Sequence, residues 1–141
     1  MDKEKTLVVF CDGGARGNPG PGASAFLIFQ KGKEIKRDSK FLGKVTNNVA
    51  EYYAVLIALS WILENKPEDV NQIVFNLDSQ LVARQLSGIY KVKEIKLKTF
   101  VTRIKETEVT INKKIIYSYI PRNKNKIADK IVNDTIDENI R

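Results

Sequence analysis

An uninterrupted apolar run at residues 7–11 (LVVFC) is the feature that most constrains the fold, and it stops abruptly at Asp12-Gly13-Gly14. Continuous apolar character without alternation favours a strand that is buried on both faces, and the glycines that follow favour a turn. Such a strand needs neighbouring strands at its edges and helices on each side of the sheet. The sequence therefore predicts an α/β protein with this strand inside the sheet.

The rest of the chain predicts the other elements. A stretch rich in glycine and proline at 14–22 predicts a rigid surface loop, and residues 23–30 and 34–42 predict two strands of an antiparallel meander. The remaining elements are a helix at 48–65, a strand at 72–77, a short helix to residue 86, a basic helix at 91–106, a strand at 109–120 and a helix at 124–136. The order βββαβααβα predicts a five-stranded mixed sheet with helices on both faces.

The composition is that of a globular protein, with 141 residues, 43% of them hydrophobic and 29% charged. A chain of this length forms one domain as a rule, so we expect a single domain over residues 1–141. The most apolar stretch, residues 50–63, is too short to cross a bilayer, and no signal-peptide pattern opens the sequence. We therefore expect a soluble, cytoplasmic monomer with no membrane association and no obligate protein partner.

Histidine is absent, and cysteine occurs once, as Cys11. These counts exclude an intrachain disulfide, a thiolate zinc cluster and catalysis by a Ser-His or Cys-His pair. Any catalysis must come from carboxylates, amides, hydroxyls or lysines, and Cys11 is interpreted as a core residue. The excess of 24 Lys and Arg over 17 Asp and Glu gives a net charge of +7, which favours a polyanionic partner.

Four carboxylates stand where elements begin or end. Taken singly, Asp12 is a turn residue, Glu51 closes a capping box that Asn48 opens, Asp78 is a helix N-cap and Asp129 faces solvent. Taken together, they favour a site, because neighbouring first and fourth strands would bring two of them to the same sheet end. Clustered carboxylates repel unless a cation intervenes, and oxygen ligands suit Mg²⁺ or Mn²⁺. Two such ions can drive phosphodiester hydrolysis without histidine.

Four segments, at residues 11–22, 46–52, 78–82 and 121–129, resemble the signature blocks of type 1 ribonuclease H, in the order of that family. The resemblance covers almost the whole chain and implies the ribonuclease H-like fold. It also implies an endoribonuclease that hydrolyses the RNA strand of RNA/DNA hybrids and leaves 5′-phosphate and 3′-hydroxyl ends. By the same resemblance, two Mg²⁺ ions, for which Mn²⁺ can substitute, are bound by the four catalytic carboxylates Asp12, Glu51, Asp78 and Asp129.

The chain departs from many members of the family at Tyr119. Those members carry a histidine there, ten residues before the last aspartate. We interpret Tyr119 as a residue of the fifth strand, because a phenol with a pKa of about 10 shuttles protons poorly near neutral pH. Short members that resemble this chain also lack the histidine, so we expect activity, with the departure affecting its rate and pH profile.

The resemblance also implies substrate contacts. The Asn18 loop and the pair Asn47-Asn48 should line the minor groove, Gln80 should reach the RNA strand, and the basic helix should hold the phosphates of the DNA strand. The expected contact residues are Gly13, Gly14, Arg16, Asn18, Asn47, Asn48, Gln80, Lys96, Lys98, Arg122 and Asn125. Some of these residues have a structural alternative, which is turn geometry for the glycines, helix capping for Asn48 and a solvated helix face for the lysines.

Two other functions remain open at this point. One is a catalytically weak module that only binds hybrids, and the other is a related nuclease that also cuts double-stranded RNA. A missing carboxylate would favour the binding module, and the sequence has all four.

Overall fold

The structure, a computed structural model, describes residues 5–140. The five strands are β1 (Thr6–Ala15), β2 (Gly20–Gln30), β3 (Lys33–Val45), β4 (Gln72–Leu77) and β5 (Lys114–Tyr119). The four helices are α1 (Asn47–Asn65), α2 (Gln80–Leu86), α3 (Ile95–Ile111) and α4 (Lys126–Asn139), with a 3₁₀ turn at Arg122–Lys124. The predicted order βββαβααβα is confirmed. Within residues 5–140, no helix combines the length and the apolar character needed to span a membrane.

The sheet has the strand order β3-β2-β1-β4-β5. Strand β1 pairs antiparallel with β2 and parallel with β4, and β4 pairs parallel with β5. Cys11 lies opposite Leu77, so Asp12 and Asp78 each follow a paired residue at the same end of the sheet. This confirms the prediction that the first and fourth strands are neighbours.

Helices cover both faces of the sheet. On one face, α1 packs against β1 and α3, and its buried side chains include Tyr52 and Leu59. On the other face, Val132 and Ile136 of α4 pack on two alanines of β2, Ala23 and Ala25. Full burial of an isoleucine side chain stabilises a fold by about 1.5–3 kcal/mol, so these contacts hold α4 on the sheet.

Helix α1 begins earlier than predicted. Its N-cap is Thr46, whose hydroxyl accepts a hydrogen bond from the Val49 backbone N–H at 3.3 Å. Asn48 therefore lies inside the first turn, and its predicted capping role is wrong. Ser79 caps α2 in the same way, accepting from the Val82 N–H at 3.2 Å, which leaves the Asp78 carboxylate free of a capping role.

Other boundaries also differ from prediction. Residues 91–94 precede α3, which continues to Ile111 although Val109, Thr110 and Ile111 favour a strand locally. The helix persists because Ile111 packs on the core, and it ends at Asn112 in a left-handed conformation. Strand β5 therefore begins five residues later than predicted. The loop expected at 14–22 is shortened to residues 16–19, because pairing of β1 with β2 extends into both of its ends.

Candidate active site

Three carboxylates converge at the end of the sheet. Asp12 belongs to β1, Glu51 lies near the start of α1 and Asp78 follows β4. One side-chain oxygen from each lies within 4.8 Å of the other two. These residues line an open cavity of about 310 Å³ whose wall also includes Asp129 of α4. The structure thus brings the four predicted carboxylates to one cavity, with three in a tight cluster and Asp129 beside it.

A glycine makes this convergence possible. A Cβ on Gly13 would stand 2.2 Å from the carbonyl carbon of Ala50 and 2.5 Å from the backbone nitrogen of Glu51. No side chain fits at that distance, so only glycine lets the first turns of α1 touch β1. The buried Ser24 hydroxyl donates to the Ala50 carbonyl and holds the same turn against β2. Close backbone packing therefore places Glu51 beside Asp12.

The cluster is electrostatically unfavourable without a cation. Burial, with the charges of Asp78, Asp129 and Glu51, raises the pKa of Asp12 to about 8, although the Gly13 N–H donates to its carboxylate at 2.9 Å. Burial also raises the pKa of Glu51 to about 7. Both carboxyl groups lie in an environment that resists their ionisation. An all-oxygen donor set of this kind fits a hard divalent cation.

Two neighbours partly offset these effects on Glu51. A hydrogen bond with the Ser79 side chain and the positive charge of Arg122 each lower the pKa of Glu51. The sequence pattern did not place Ser79 in the site. Its place immediately after Asp78 at a helix start was the available signal.

Two asparagines hold the loop at residues 16–19 to the start of α1. The side-chain oxygen of Asn18 accepts from the Asn47 N–H at 2.9 Å, and the side-chain oxygen of Asn47 accepts from the Ala15 N–H at 2.9 Å. Both side chains belong to exposed residues. Each oxygen already accepts a backbone N–H, and each amide NH₂ group is a donor that the side chain can offer to a ligand.

The remaining predicted contacts lie in different surroundings. Gly14 and Arg122 line the cavity. Arg16 also lines it, but its guanidinium pairs with Asp137 and donates to oxygens of Asn133 at 3.3 Å.

Three further predicted contacts lie outside the cavity wall. Gln80 is exposed at the start of α2, and Lys96 and Lys98 are exposed on α3. The structure therefore separates the expected contacts into a group at the cavity and a group on α2 and α3.

Asn125 does not reach the surface. Its residue is 2% exposed, and its side-chain amide donates to the Cys11 carbonyl at 2.8 Å and to Asp78 Oδ2 at 3.0 Å. Burial is incompatible with the direct substrate contact expected of it. Cys11 is buried in the core as predicted, and Tyr119 is the last residue of β5, half exposed.

A family model described as "Reverse transcriptase-like" matches residues 10–135. Among relatives, a ribonuclease HI from Halobacterium salinarum is 30% identical over 138 residues, which cover 97% of this chain and 67% of the relative. A bifunctional protein from Mycobacterium tuberculosis is 30% identical over 133 residues, covering 93% of this chain. The chain spans only 35% of the length of that mycobacterial relative.

Solved structures similar to this chain are also named RNase H1. LC11-RNase H1, crystallised in complex with an RNA/DNA hybrid, superposes with a TM-score of 0.90 at 36% identity and covers 96% of this chain and 99% of its own. The RNase H1 of the halophilic archaeon Halobacterium salinarum superposes with a TM-score of 0.87 at 29% identity over 94% of this chain and 98% of its own. The motifs, the fold and the carboxylate cluster agree with these matches, and the chain therefore belongs to the ribonuclease HI family.

Proposed function

We propose that this protein is a metal-dependent endoribonuclease that hydrolyses the RNA strand of RNA/DNA hybrids, leaving 5′-phosphate and 3′-hydroxyl ends. The observation that carries the proposal is the cluster of Asp12, Glu51 and Asp78, whose oxygens lie within 4.8 Å of one another in an open cavity. Support comes from relatives named ribonuclease HI and from the neighbouring structure that holds an RNA/DNA hybrid.

The carboxylates are suited to hold divalent cations. Asp12, Glu51 and Asp78 would bind one ion, and Asp129, on the same cavity wall, would join Asp12 in binding a second. We propose Mg²⁺ as the natural ion, with Mn²⁺ able to replace it. When bound, a pair of such ions activates the attacking water and stabilises the leaving oxygen. The chain's own contribution is to fix the donor oxygens on β1, on α1, directly after β4 and on α4.

Recognition of RNA requires contact with the 2′-hydroxyl, which both donates and accepts hydrogen bonds. The amide NH₂ groups of Asn18 and Asn47, whose oxygens accept backbone N–H groups, would donate to it, with Asn48 in the first turn of α1. Packing within the protein does not require glycine at position 14, because a Cβ there would meet its nearest atom, a side-chain oxygen, only at 3.9 Å. The absence of a side chain would instead let the strand backbone approach the groove. Gly14 and Asn47 line the cavity that holds the carboxylates, so recognition and cleavage would occur on the same strand.

Basic residues would hold the phosphates. Lys96 and Lys98 on the exposed face of α3 would contact the DNA strand, and Gln80 would contact the RNA strand. Arg122, on the cavity wall and close enough to affect the pKa of Glu51, would bind a phosphate near the cut site. Arg16 would do so only by giving up its pairing with Asp137.

The experiment is a substrate panel with the purified protein. Labelled RNA/DNA hybrid, double-stranded RNA, single-stranded RNA and duplex DNA are each incubated with Mg²⁺, Mn²⁺ or EDTA, and the products are separated on a gel. We expect cleavage of the RNA in the hybrid with either metal and none in EDTA. Equal cutting of double-stranded RNA would establish the broader nuclease, and tight hybrid binding without cleavage would establish the binding module.

We further propose that residues 1–141 act as one catalytic domain and as a monomer. The described residues share one sheet whose two faces are covered by helices of the same chain. Light scattering during size-exclusion chromatography should give the mass of one chain, and a stable dimer would overturn this part of the proposal.

A further inference from the structure

Asn125 lies at the junction of the elements that carry three of the four carboxylates. Its side-chain amide donates to the backbone carbonyl of Cys11, the residue before Asp12, and to Oδ2 of Asp78. Its own backbone carbonyl accepts from the Asp129 N–H at 3.1 Å, in the first turn of α4. One residue thus contacts the end of β1, the end of β4 and the start of α4.

The orientation of this amide is fixed by its partners. The Cys11 carbonyl and the Asp78 carboxylate are both acceptors, so the amide nitrogen must face them. The other amide atom, Oδ1, is buried and has no hydrogen-bond partner in the part of the chain that the structure describes. The opposite orientation would place this oxygen against two acceptors.

The Asn125 side chain does not cap the helix that it precedes. Asn125 stands at the N-cap of α4, where an asparagine oxygen ordinarily accepts from a backbone N–H of the first turn, yet it makes no side-chain capping bond. A buried, unpaired amide oxygen is unfavourable for folding. The side chain therefore uses its donor on Cys11 and Asp78 rather than its oxygen on the helix, and these two contacts connect it to the carboxylate cluster.

We propose that Asn125 is a positioning residue that directs the Asp78 carboxylate toward the cation and sets the spacing between the ends of β1 and β4. The proposal rests on the proposed function, because it concerns the same carboxylate cluster. It predicts that loss of the amide donor misplaces one metal-binding oxygen while the fold is retained. Groups that orient metal ligands typically contribute about 10- to 100-fold to affinity or activity.

The test compares Asn125→Ala and Asn125→Asp with the control Asn123→Ala. Asn123 is exposed, lies two residues away in the 3₁₀ turn and has no place in the proposed site. Binding of Mg²⁺ alone is measured by calorimetry, hybrid cleavage gives kcat and KM, and the unfolding temperature is measured in EDTA. Circular dichroism establishes that each variant is folded.

We expect both Asn125 variants to bind Mg²⁺ about tenfold or more weakly and to lose kcat by a similar factor, with KM for the hybrid within about twofold of the wild type. In Asn125→Asp the donor is replaced by a carboxylate facing Asp78. This variant should therefore lose more Mg²⁺ affinity and kcat than Asn125→Ala. The control should match the wild type in every measurement.

Two results would overturn the inference. One is an Asn125→Ala protein with a lower unfolding temperature but unchanged Mg²⁺ affinity and kcat, which is the result that a purely structural role predicts. If that variant does not fold, Asn125→Asp, which preserves the volume of the side chain, carries the same comparison. The other is unchanged Mg²⁺ affinity in a folded Asn125→Asp protein.

A wild type that binds Mg²⁺ but cuts no hybrid, with weaker binding in the variants, would overturn the proposed function and leave the positioning role supported.

Discussion

Gly13 of β1 touches the backbone of Ala50 so closely that a Cβ on the glycine would lie 2.2 Å from the Ala50 carbonyl carbon. This contact sets the distance between the strand that carries Asp12 and the helix that carries Glu51. The site therefore needs a glycine next to Asp12 so that α1 can pack closely on β1, and not only so that a turn can form.

Replacing Gly13 with alanine should therefore damage both the fold and the site. The methyl group would push α1 away from β1, and overpacking of this kind typically costs about 1–3 kcal/mol. We expect a lower free energy of unfolding in denaturant titrations and a weaker affinity for Mg²⁺. The matched variant Gly14→Ala, where the nearest atom to a Cβ is 3.9 Å away, should change the unfolding free energy far less. Equal destabilisation by the two variants would contradict this account of Gly13.

Asp12→Asn should stabilise the protein in EDTA at neutral and alkaline pH. The pKa of Asp12 is about 8 in the folded protein, mainly because of burial, against about 3.9 in an unfolded chain. The folded state therefore binds more protons between these values, and wild-type stability falls as the pH rises through them. Asparagine carries no charge at this position, so the variant does not lose stability in this way as the pH rises.

The unfolding temperature of both proteins in EDTA, measured from pH 4 to pH 9, tests this expectation. The stabilisation by Asp12→Asn should grow with pH and exceed a few degrees, where about 1 kcal/mol corresponds to roughly 2–8 °C. A constant difference, or a variant that is less stable at pH 9, would show that the carboxylate is not penalised in the folded protein. Addition of Mg²⁺ should stabilise the wild type more than the variant.

Asn47→Asp separates the structural from the recognition role of this side chain. Aspartate keeps an oxygen to accept from the Ala15 N–H and removes the amide donor that faces solvent. Loss of one hydrogen bond to substrate costs on the order of 1.4 kcal/mol, so kcat/KM for the hybrid should fall about tenfold or more while the unfolding temperature in EDTA stays close to that of the wild type. In Asn47→Ala both properties should fall. Unchanged kcat/KM in Asn47→Asp would exclude a donor role.

Neutralising Lys96 and Lys98 together to glutamine should weaken the salt dependence of hybrid binding. Each phosphate contact contributes roughly 0.9 to the slope of log affinity against log salt on a B-form duplex, so the slope should fall by about one to two. The control is a double change of Lys33 and Lys36 on β3, which removes the same charge outside the proposed site. Equal slopes for the two double variants would make the face of α3 an ordinary solvated surface.

The sheet, and the location of Asp12 and Asp78 at the same end of it, could be predicted because both depend on local sequence patterns. The apolar run at residues 7–11 required a buried strand, and parallel pairing with 72–77 aligned the two aspartates. The end of α3 could not be predicted this way, because Val109 and Ile111 favour a strand locally and only packing of Ile111 on the core keeps them helical. Tertiary contacts decided that boundary.

The roles of some site residues depend on tertiary packing, which the local sequence pattern does not show. Asn48 suits an N-cap by residue type, but in the fold the N-cap of α1 is Thr46. For Asn125, position in a signature block suggested contact with substrate, whereas the fold turns its amide inward toward Asp78. Gly13 was interpreted through turn geometry, and its contact with Ala50 exists only once α1 packs on β1.

The most direct test of the account is cleavage of a hybrid with a labelled RNA strand by the wild type and by Asp78→Asn, each with Mg²⁺ and with EDTA. The wild type should cut the RNA strand with Mg²⁺ only and leave the DNA strand intact. Asp78→Asn should retain the fold by circular dichroism and lose at least 90% of the cleavage rate, which corresponds to at least about 1.4 kcal/mol of transition-state stabilisation. A wild type that is inactive with every divalent ion, or an Asp78→Asn protein that keeps more than about a tenth of the rate, would contradict the assignment of this carboxylate cluster as the catalytic metal site.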